Sequence, residues 1–263
     1  ILVGTIIASF ETSAVSYLYY ADRVYQINLA LAGIAVGTVS LPVLSKAFKQ
    51  KNVLKITNIQ NRSIELSLLL SIPAGAGLIL ASDQIINALF GYGSFSQENV
   101  KMTATALKYF GYGVPAFAMI KILSNFFFAR NNTKTPFYIS TFVVFLNIFL
   151  SLSFFNKVGF VIIPIATSFS TWIGVLVYIY LLQKKDFLLI RGYLPKNIFK
   201  IISSTFLMSF LLVYALNHFS SYLDYFYKYK SVYLLLIVGF VAVIYLISCY
   251  LTGLLKAKNY KTN

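Results

Sequence analysis

Four polar residues in otherwise apolar stretches have the chemistry of an anion-binding site. Asp22 and Arg23 are adjacent, while Lys121 and Asn125 are one helical turn apart and would share a helix face. A guanidinium stays charged in a protein and binds phosphate oxygens through paired hydrogen bonds, so Arg23 in a water-filled cavity would hold a diphosphate. The alternatives are an interfacial Arg23 that pairs with Asp22, and a Lys121 side chain that reaches out of its apolar stretch.

The other ionisable and metal-binding side chains do not form a catalytic set. The seven acids are scattered, whereas a transferase acting on polyprenyl phosphates needs clustered acids to hold Mg²⁺ or activate a nucleophile. Cys249 and His218 are the only residues of their types, which excludes an internal disulfide and a Cys- or His-based metal centre. Glu11, midway along the first apolar stretch, would be neutral when buried and is a candidate proton carrier. The sequence therefore disfavours an enzyme.

The elements that must position these residues are membrane-spanning helices. Hydrophobic residues make up 59% of the 263 positions and charged residues only 11%, too little charge for a water-soluble fold. A helix needs about 20 apolar residues to cross the hydrocarbon, and the absence of alternating polarity argues against a barrel. We expect an all-α, polytopic transmembrane bundle with about eight spans, at 1–22, 28–46, 64–90, 104–128, 136–155, 160–183, 200–217 and 231–254.

The basic residues predict the orientation of this bundle. Segments 46–63, 129–135, 184–200 and 255–263 hold fifteen Lys and Arg residues against one acid, whereas segments 91–103, 156–159 and 218–230 hold four against two acids. The first set is therefore predicted to be cytoplasmic, with both chain ends inside the cell. The net charge of +15 does not indicate nucleic acid, because the basic residues lie between apolar runs and form no stripe.

Glycine and proline positions predict close packing and kinks. Gly33, Ala35 and Gly37 suit close helix contact in the second span. Three prolines interrupt apolar runs and are expected to kink their helices, as transporters use for gating: Pro73, Pro115 and Pro164.

Three motifs resemble the signature of the MurJ (MviN) lipid II flippase family, and the resemblance covers essentially the whole chain. The first and most specific is Tyr20-Ala21-Asp22-Arg23 followed by the glycine-containing stretch 33–46. The second is 89–96, Leu-Phe-Gly-Tyr-Gly-Ser-Phe-Ser, and the third is 128–136, Phe-Ala-Arg-Asn-Asn-Thr-Lys-Thr-Pro.

This resemblance implies a fold and an activity. Members have fourteen spans, with two six-span lobes around a cavity and two further spans that form a groove on the lipid side. The eight runs here resemble spans seven to fourteen, so 1–184 would form the second lobe and 185–263 the two added helices with a cytoplasmic tail. The family moves lipid II across the bacterial cytoplasmic (inner) membrane by alternating access and without a cofactor. Arg23 and Asp22 match its cavity residues, and Lys121 and Asn125 would line the same cavity.

The resemblance also implies partners and raises one doubt. Lipid II, membrane lipids and an N-terminal lobe of the same protein are the implied partners, and the sequence begins as if inside a helix, as a C-terminal part would. Some members bind sodium in this lobe. Asn147 and Thr167 would be neutral ligands, but Val3 and Ser151 stand where acids are expected, which makes a sodium site doubtful.

Two other functions fit the same sequence. One is an exporter of another lipid-linked oligosaccharide in the same multidrug/oligosaccharidyl-lipid/polysaccharide exporter superfamily, and the other is a membrane remnant that transports nothing.

Overall fold

The computed structural model describes residues 2–255, apart from the side chains at positions 2, 3, 31 and 32. The basic residues 256, 258 and 261 of the predicted cytoplasmic tail therefore lie outside the described residues. The described part of the chain is helical without strands, which confirms the prediction of an all-α bundle. Its helices are α1 (Leu2–Ala8), α2 (Ala14–Leu29), α3 (Ala35–Lys49), α4 (Val53–Leu80), α5 (Ser82–Phe90), α6 (Gln97–Gly111), α7 (Val114–Phe128), α8 (Lys134–Val158), α9 (Ile162–Lys184), α10 (Tyr193–His218) and α11 (Lys230–Leu251).

The loops gather at two opposite ends of the bundle. At the end that we call the basic end, the loops 50–52, 129–133 and 185–192 meet, and Arg130 and Gln60 both bond to the backbone carbonyl of Phe187. At the other, which we call the aromatic end, the loops 91–96, 159–161 and 219–229 meet. The described loops that were predicted to share one side of the membrane therefore lie together.

The boundaries predicted for the first two spans are wrong. Helix α1 ends at Ala8, the chain turns at 9–13 with Ser13 at a φ of 63°, and α2 then begins at Ala14. Glu, Thr and Ser at 11–13 favour such a break because their polar side chains compete for backbone hydrogen bonds. From Ala14 the helix runs through a π-helical turn at Ala30–Ile34 and continues as α3 to Lys49, a length of about 54 Å. Asp22 and Arg23 therefore lie inside a long helix and not at the end of a span.

The close contact predicted from the small residues forms between this long helix and α7. A Cβ on Gly33 would lie 3.2 Å from Ala118 Cα, and one on Gly37 would lie 3.4 Å from the side-chain nitrogen of Asn125. The π-helical turn contains Gly33, and such turns are frequent at functional sites. Ala35 is exposed and takes no part in this contact.

Helix α4 is the central element of the bundle. The Asn52 side chain caps it by accepting a hydrogen bond from the Lys55 N–H at 2.9 Å, and the helix continues through Pro73 without a break. It packs against α3, α6, α7 and α10. The predicted span 64–90 is interrupted at Ala81, after which α5 begins as a separate helix.

The predicted span 104–128 consists of two helices, α6 and α7, bent by 40° at Tyr112 and Gly113. Pro115 lies in the first turn of α7, so the expected interruption is present. Two side chains of α9 donate to backbone carbonyls at the bend: Ser168 Oγ to Tyr109 at 2.7 Å and Trp172 Nε1 to Tyr112 at 2.9 Å. Pro164 lies in the first turn of α9, where its missing N–H costs little, so the kink expected there is absent.

By length and composition, four stretches of the described chain are able to cross a membrane, and the bent α6–α7 pair would be a fifth. They are α4, α10, α11 and the stretch Lys134–Lys184, in which α8 and α9 pack against each other along their lengths. Half of the apolar window of α4 is buried, against 28% for α10 and α11, so these last two helices lie at the periphery.

Candidate functional site

Arg23 presents an exposed guanidinium on the long α2–α3 helix. Its Cζ lies 4.7 Å from the centre of the Tyr19 ring, one turn earlier, and it forms no ion pair in the described part of the chain. Asp22 is partly buried and accepts a hydrogen bond from the Gln26 side chain. The alternative in which Asp22 pairs with Arg23 is therefore not what the structure contains. The hydrogen-bonding edge of the guanidinium has no partner among the described residues.

Lys121 and Asn125 lie on the same face of α7, as predicted, but only Lys121 is accessible. The stem of Lys121 passes Gly33, at 3.6 Å from the position of a Cβ there, and its side chain is exposed. Asn125 is 8% exposed and donates to the Gly37 carbonyl at 2.8 Å, with Ser40 Oγ at 3.4 Å. Asn125 therefore joins α7 to α3 and does not line a cavity, which corrects the prediction for this residue.

The two exposed cations occupy different levels along the helix. Gly33, beside Lys121, is ten residues beyond Arg23, which corresponds to about 15 Å along the helix axis. Ile27, between these levels, and Ile34, the residue after Gly33, are exposed as well, at 61% and 50%. The arrangement is an exposed strip with a cation at each end, able to contact an anionic ligand at two points.

An apolar cavity of about 460 Å³ lies between the peripheral helices and the long helix. Tyr245 of α11 donates to the Leu69 carbonyl at 2.7 Å beside it. Its wall has only one amide, Asn28, and one phenol, Tyr245. The other lining residues are aliphatic residues, glycine and methionine from α2, α4, α5, α10 and α11, including Ile27, Pro73, Ile85, Met208, Val241 and Leu246. Such a wall suits a hydrocarbon chain.

The residues considered for sodium do come together, but they do not fit a bound cation. Asn147 donates its side-chain N–H to Thr167 Oγ1 at 2.9 Å, and Thr167 donates to the Ile163 carbonyl. Ser151 Oγ is buried without a hydrogen-bond partner. These three groups offer only neutral oxygens, one of which already accepts a bond, whereas hard cations prefer carboxylates. The Val3 side chain, the fourth position considered, lies outside the described residues.

Glu11 lies at the aromatic end and not in the middle of a span. Its Oε2 accepts a hydrogen bond of 2.7 Å from the Phe160 N–H, in the turn that leads into α9. A carboxylate at the beginning of a helix is favourable because the N–H groups there are unpaired. Glu11 thus joins the α1–α2 turn to α9, which does not support its interpretation as a proton carrier.

Sequence reasoning missed the residues that hold the site and the peripheral helices in place. Tyr19 lies under the Arg23 guanidinium, and its spacing of four residues was the available signal. Lys230 and Arg130 were counted only as basic loop residues, yet both are engaged by backbone carbonyls and aromatic rings. Apart from Tyr225 for Lys230 and Phe126 for Arg130, their partners are distant in sequence, so no local pattern indicates these contacts.

Comparison with known proteins identifies relatives over the whole length of this chain. The family model described as Lipid II flippase MurJ matches residues 1–256. A probable lipid II flippase MurJ from Rhizobium tropici is 35% identical over 218 residues, which is 83% of this chain and 41% of that protein. One from Thermotoga maritima is 31% identical over 245 residues, 93% of this chain and 48% of that protein.

Solved structures agree with this result. A structure described as lipid II flippase MurJ in an inward closed conformation superposes with a TM-score of 0.78 at 28% identity, covering 95% of this chain and 50% of that one. A transporter of the MOP superfamily from Pyrococcus furiosus has a TM-score of 0.60 at 18% identity, covering 94% of this chain and 57% of that one, and supports the fold alone. This chain spans about half or less of the length of these relatives. With a family model matched over residues 1–256, the chain belongs to the MurJ family of lipid II flippases.

Proposed function

We propose that this chain is the second lobe and the two added helices of a lipid II flippase, and that it acts with an N-terminal lobe of the same protein. Residues 1–184 would form one wall of the transport cavity, and residues 185–263 would contribute α10 and α11. The protein moves its substrate between leaflets of the bacterial inner membrane and does not alter it chemically. Both ends of the chain are cytoplasmic, because the basic end carries most of the Lys and Arg residues.

The exposed Arg23 guanidinium is the observation that carries this proposal. It forms no ion pair among the described residues, and the Tyr19 ring holds it from one side only. A planar cation with a free edge binds a diphosphate through paired hydrogen bonds. Arg23 would therefore contact the diphosphate or the sugar-peptide head, with Asp22 nearby on the same helix and Lys121 as a second cationic contact.

The apolar cavity provides a place for the other end of such a substrate. Its wall is formed by α10 and α11 on one side and by α2 and α4 on the other. Val24 and Ile27, which follow Arg23 within one helical turn, belong to that wall. A polyprenyl chain in this cavity would therefore lie within reach of a head group at Arg23. The short distance along the helix from Arg23 to the apolar cavity fits a lipid whose charged head and apolar tail are recognised separately.

Complementation of a flippase-depleted bacterium with the full-length gene tests the proposal. The intact gene is expected to restore growth, and Arg23→Ala is expected to fail although the protein is present in the membrane at the normal level. Arg23→Lys should restore growth in part, because it keeps the charge but loses the planar pair of donors. Lys101→Ala, which removes an exposed cation from α6 at the same end, is the matched control and should behave as the intact gene.

Each outcome of this experiment bears on a different claim. Equal growth with Arg23→Ala would exclude the role proposed for Arg23. Failure of the intact gene would count against lipid II as the substrate and favour another lipid-linked oligosaccharide. Failure of Lys101→Ala alongside Arg23→Ala would indicate that loss of any cation at this end is harmful, which would remove the specific assignment.

A further inference from the structure

Lys230, the first residue of α11, is fully engaged by the aromatic end of the bundle. It is 1% exposed, and its Nζ donates to the carbonyls of Gly91 at 2.6 Å and Tyr225 at 2.7 Å and to Asn87 Oδ1 at 3.0 Å. All three donor positions of the ammonium group are therefore used. Burial of a lysine costs free energy unless its ammonium group is hydrogen-bonded in this way. The three bonds therefore account for the burial of Lys230.

The surroundings of Lys230 join α11 to the end of α5. The ammonium lies 4.2 Å from the centre of the Tyr92 ring and 4.7 Å from that of Tyr225. Ser231 donates to the Ala88 carbonyl at 2.6 Å and shares a hydrogen bond with the Tyr92 hydroxyl. Ala88 lies in the C-terminal turn of α5 and Gly91 directly follows that helix, at an end where unpaired carbonyls attract a cation. We call this set of contacts around Lys230 the outer clamp.

Arg130, just after α7, forms a similar arrangement at the basic end. Its guanidinium lies 4.1 Å from the ring centres of both Phe48 and Phe187. It donates to the carbonyls of Phe126 at 2.6 Å and Phe187 at 2.9 Å. Burial lowers the pKa of Arg130 to about 10, so the group remains charged at neutral pH. These contacts join α3 and α7 to the loop that leads into α10.

Two side chains of α4 fix the same loop through its backbone. Gln60 donates to the Phe187 carbonyl at 2.8 Å. Asn61 donates to the Leu189 carbonyl at 2.7 Å and accepts from the Arg191 N–H at 3.0 Å. Gln60 and Asn61 are both at most 1% exposed. Together with Arg130 they form what we call the inner clamp.

Between the two clamps α10 packs against α4, but the contact of α11 with the rest of the bundle is incomplete. The cavity of about 460 Å³ lies there, and the middle of α11 reaches α4 through the bond from Tyr245 to the Leu69 carbonyl. Side chains that line a cavity lack the van der Waals contacts that would otherwise hold the two helix surfaces together. The ends must therefore contribute much of the attachment of α11.

We propose that the outer and inner clamps hold α10 and α11 rigidly to the rest of the chain, each at its own end, so that the wall of the apolar cavity keeps its place. Lys230 and Arg130 are thus positioning residues. Given the proposed function, the pair moves together with the second lobe and the cavity stays formed while the head group crosses. The physical basis is that each clamp uses several charge-assisted bonds to backbone atoms, which do not depend on any one partner side chain.

Pulsed electron paramagnetic resonance on the full-length protein in lipid nanodiscs tests the clamps. One spin-label pair, at positions 102 of α6 and 232 of α11, reports the aromatic end, and another, at 55 of α4 and 199 of α10, reports the basic end; all four side chains are exposed. Lys230→Met should broaden the 102–232 distance distribution about twofold and leave 55–199 unchanged. Arg130→Met should do the reverse. Lys228→Met, an exposed lysine two residues from Lys230, should change neither.

Unchanged widths in both variants would overturn the proposal, and so would equal broadening at both ends, which would mean a general loosening. If Lys230→Met does not yield folded protein, Tyr92→Leu removes one ring from the outer clamp and should broaden the same distance to a smaller degree; no broadening there would equally overturn it. The readout needs no substrate, so a failed clamp and a failed lipid II assignment are distinguished.

Discussion

Single side chains in this chain divide into exposed cations, which we propose to contact a ligand, and buried polar groups that hold helices together. Arg23 and Lys121 are exposed cations on neighbouring helices, whereas Asn125 is buried and bonded to the Gly37 carbonyl. Polar bonds between helices in a membrane are individually modest in free energy. Loss of such a bond should therefore affect stability, while loss of an exposed cation should affect binding of the proposed ligand.

We expect Asn125→Leu and Lys121→Ala to separate these two roles. Asn125→Leu should lower the free energy of unfolding by about 0.6–2 kcal/mol, because it removes the amide donor between α7 and α3, while lipid II binding is retained. Lys121→Ala should leave stability unchanged. Thermal unfolding of the purified full-length protein measures the first effect, and stability losses of equal size in both variants would contradict the division.

Residue types and spacing predicted part of this site. A spacing of four places Lys121 and Asn125 on one face, and both do lie against the glycines of the π turn and α3. Asn125 is buried because it bonds to the Gly37 carbonyl, 88 residues away in sequence, whereas Lys121 is exposed. No local pattern indicates that contact. For the same reason the contacts of Lys230 and Arg130 were not predictable. The carbonyls and aromatic rings that surround Lys230 are distant in sequence, with the exception of those of Tyr225.

At the scale of the helices, close contact between backbones decides where α4 meets its neighbours. A Cβ on Gly75 would lie 2.9 Å from the Gly111 carbonyl oxygen, at the bend between α6 and α7, whereas one on Gly77 would have no heavy atom within 4 Å. Run length and hydropathy predicted that these helices exist. They did not predict the break at Ala81, where the apolar run has no signal for a turn. The break at 9–13 has a local signal in Glu, Thr and Ser at 11–13, but the contact of Glu11 with Phe160 that stabilises it is distant in sequence.

The two glycines of α4 therefore form a matched pair of substitutions. Gly75→Ala should destabilise the protein by about 1–3 kcal/mol, because the added methyl group displaces a backbone carbonyl at the bend. Gly77→Ala should be neutral or stabilising by up to about 1 kcal/mol, since alanine is the better helix former. Unfolding of both variants in the same detergent gives the comparison, and a loss from Gly77→Ala as large as that from Gly75→Ala would argue against the packing described here.

At the scale of the whole molecule, the distribution of charge and the fold agree on two distinct ends. Loops that were assigned to one side from their Lys and Arg content meet at the basic end, and the aromatic loops meet at the other. The proposed direction of the bundle, with the basic end in the cytoplasm, rests on the excess of Lys and Arg residues at that end.

Thiol labelling of intact cells tests this direction. Phe226→Cys, in the 82% exposed position of the aromatic end, should react with a small membrane-impermeant thiol reagent in intact cells. Lys51→Cys, in the exposed turn before α4, should react only after the cells are opened. The native Cys249 is buried, so the unsubstituted protein should give little background. Labelling of Lys51→Cys in intact cells would reverse the assigned direction.

The central claim is that Arg23 binds the charged head of the transported lipid. Binding of lipid II to the full-length protein in detergent, measured by native mass spectrometry for the unsubstituted protein, Arg23→Ala and Lys101→Ala, tests it most directly. Loss of a charge-assisted bond to a diphosphate should weaken binding by Arg23→Ala about tenfold or more, while Lys101→Ala stays at the unsubstituted affinity. Equal affinity of Arg23→Ala and the unsubstituted protein for lipid II would contradict the account.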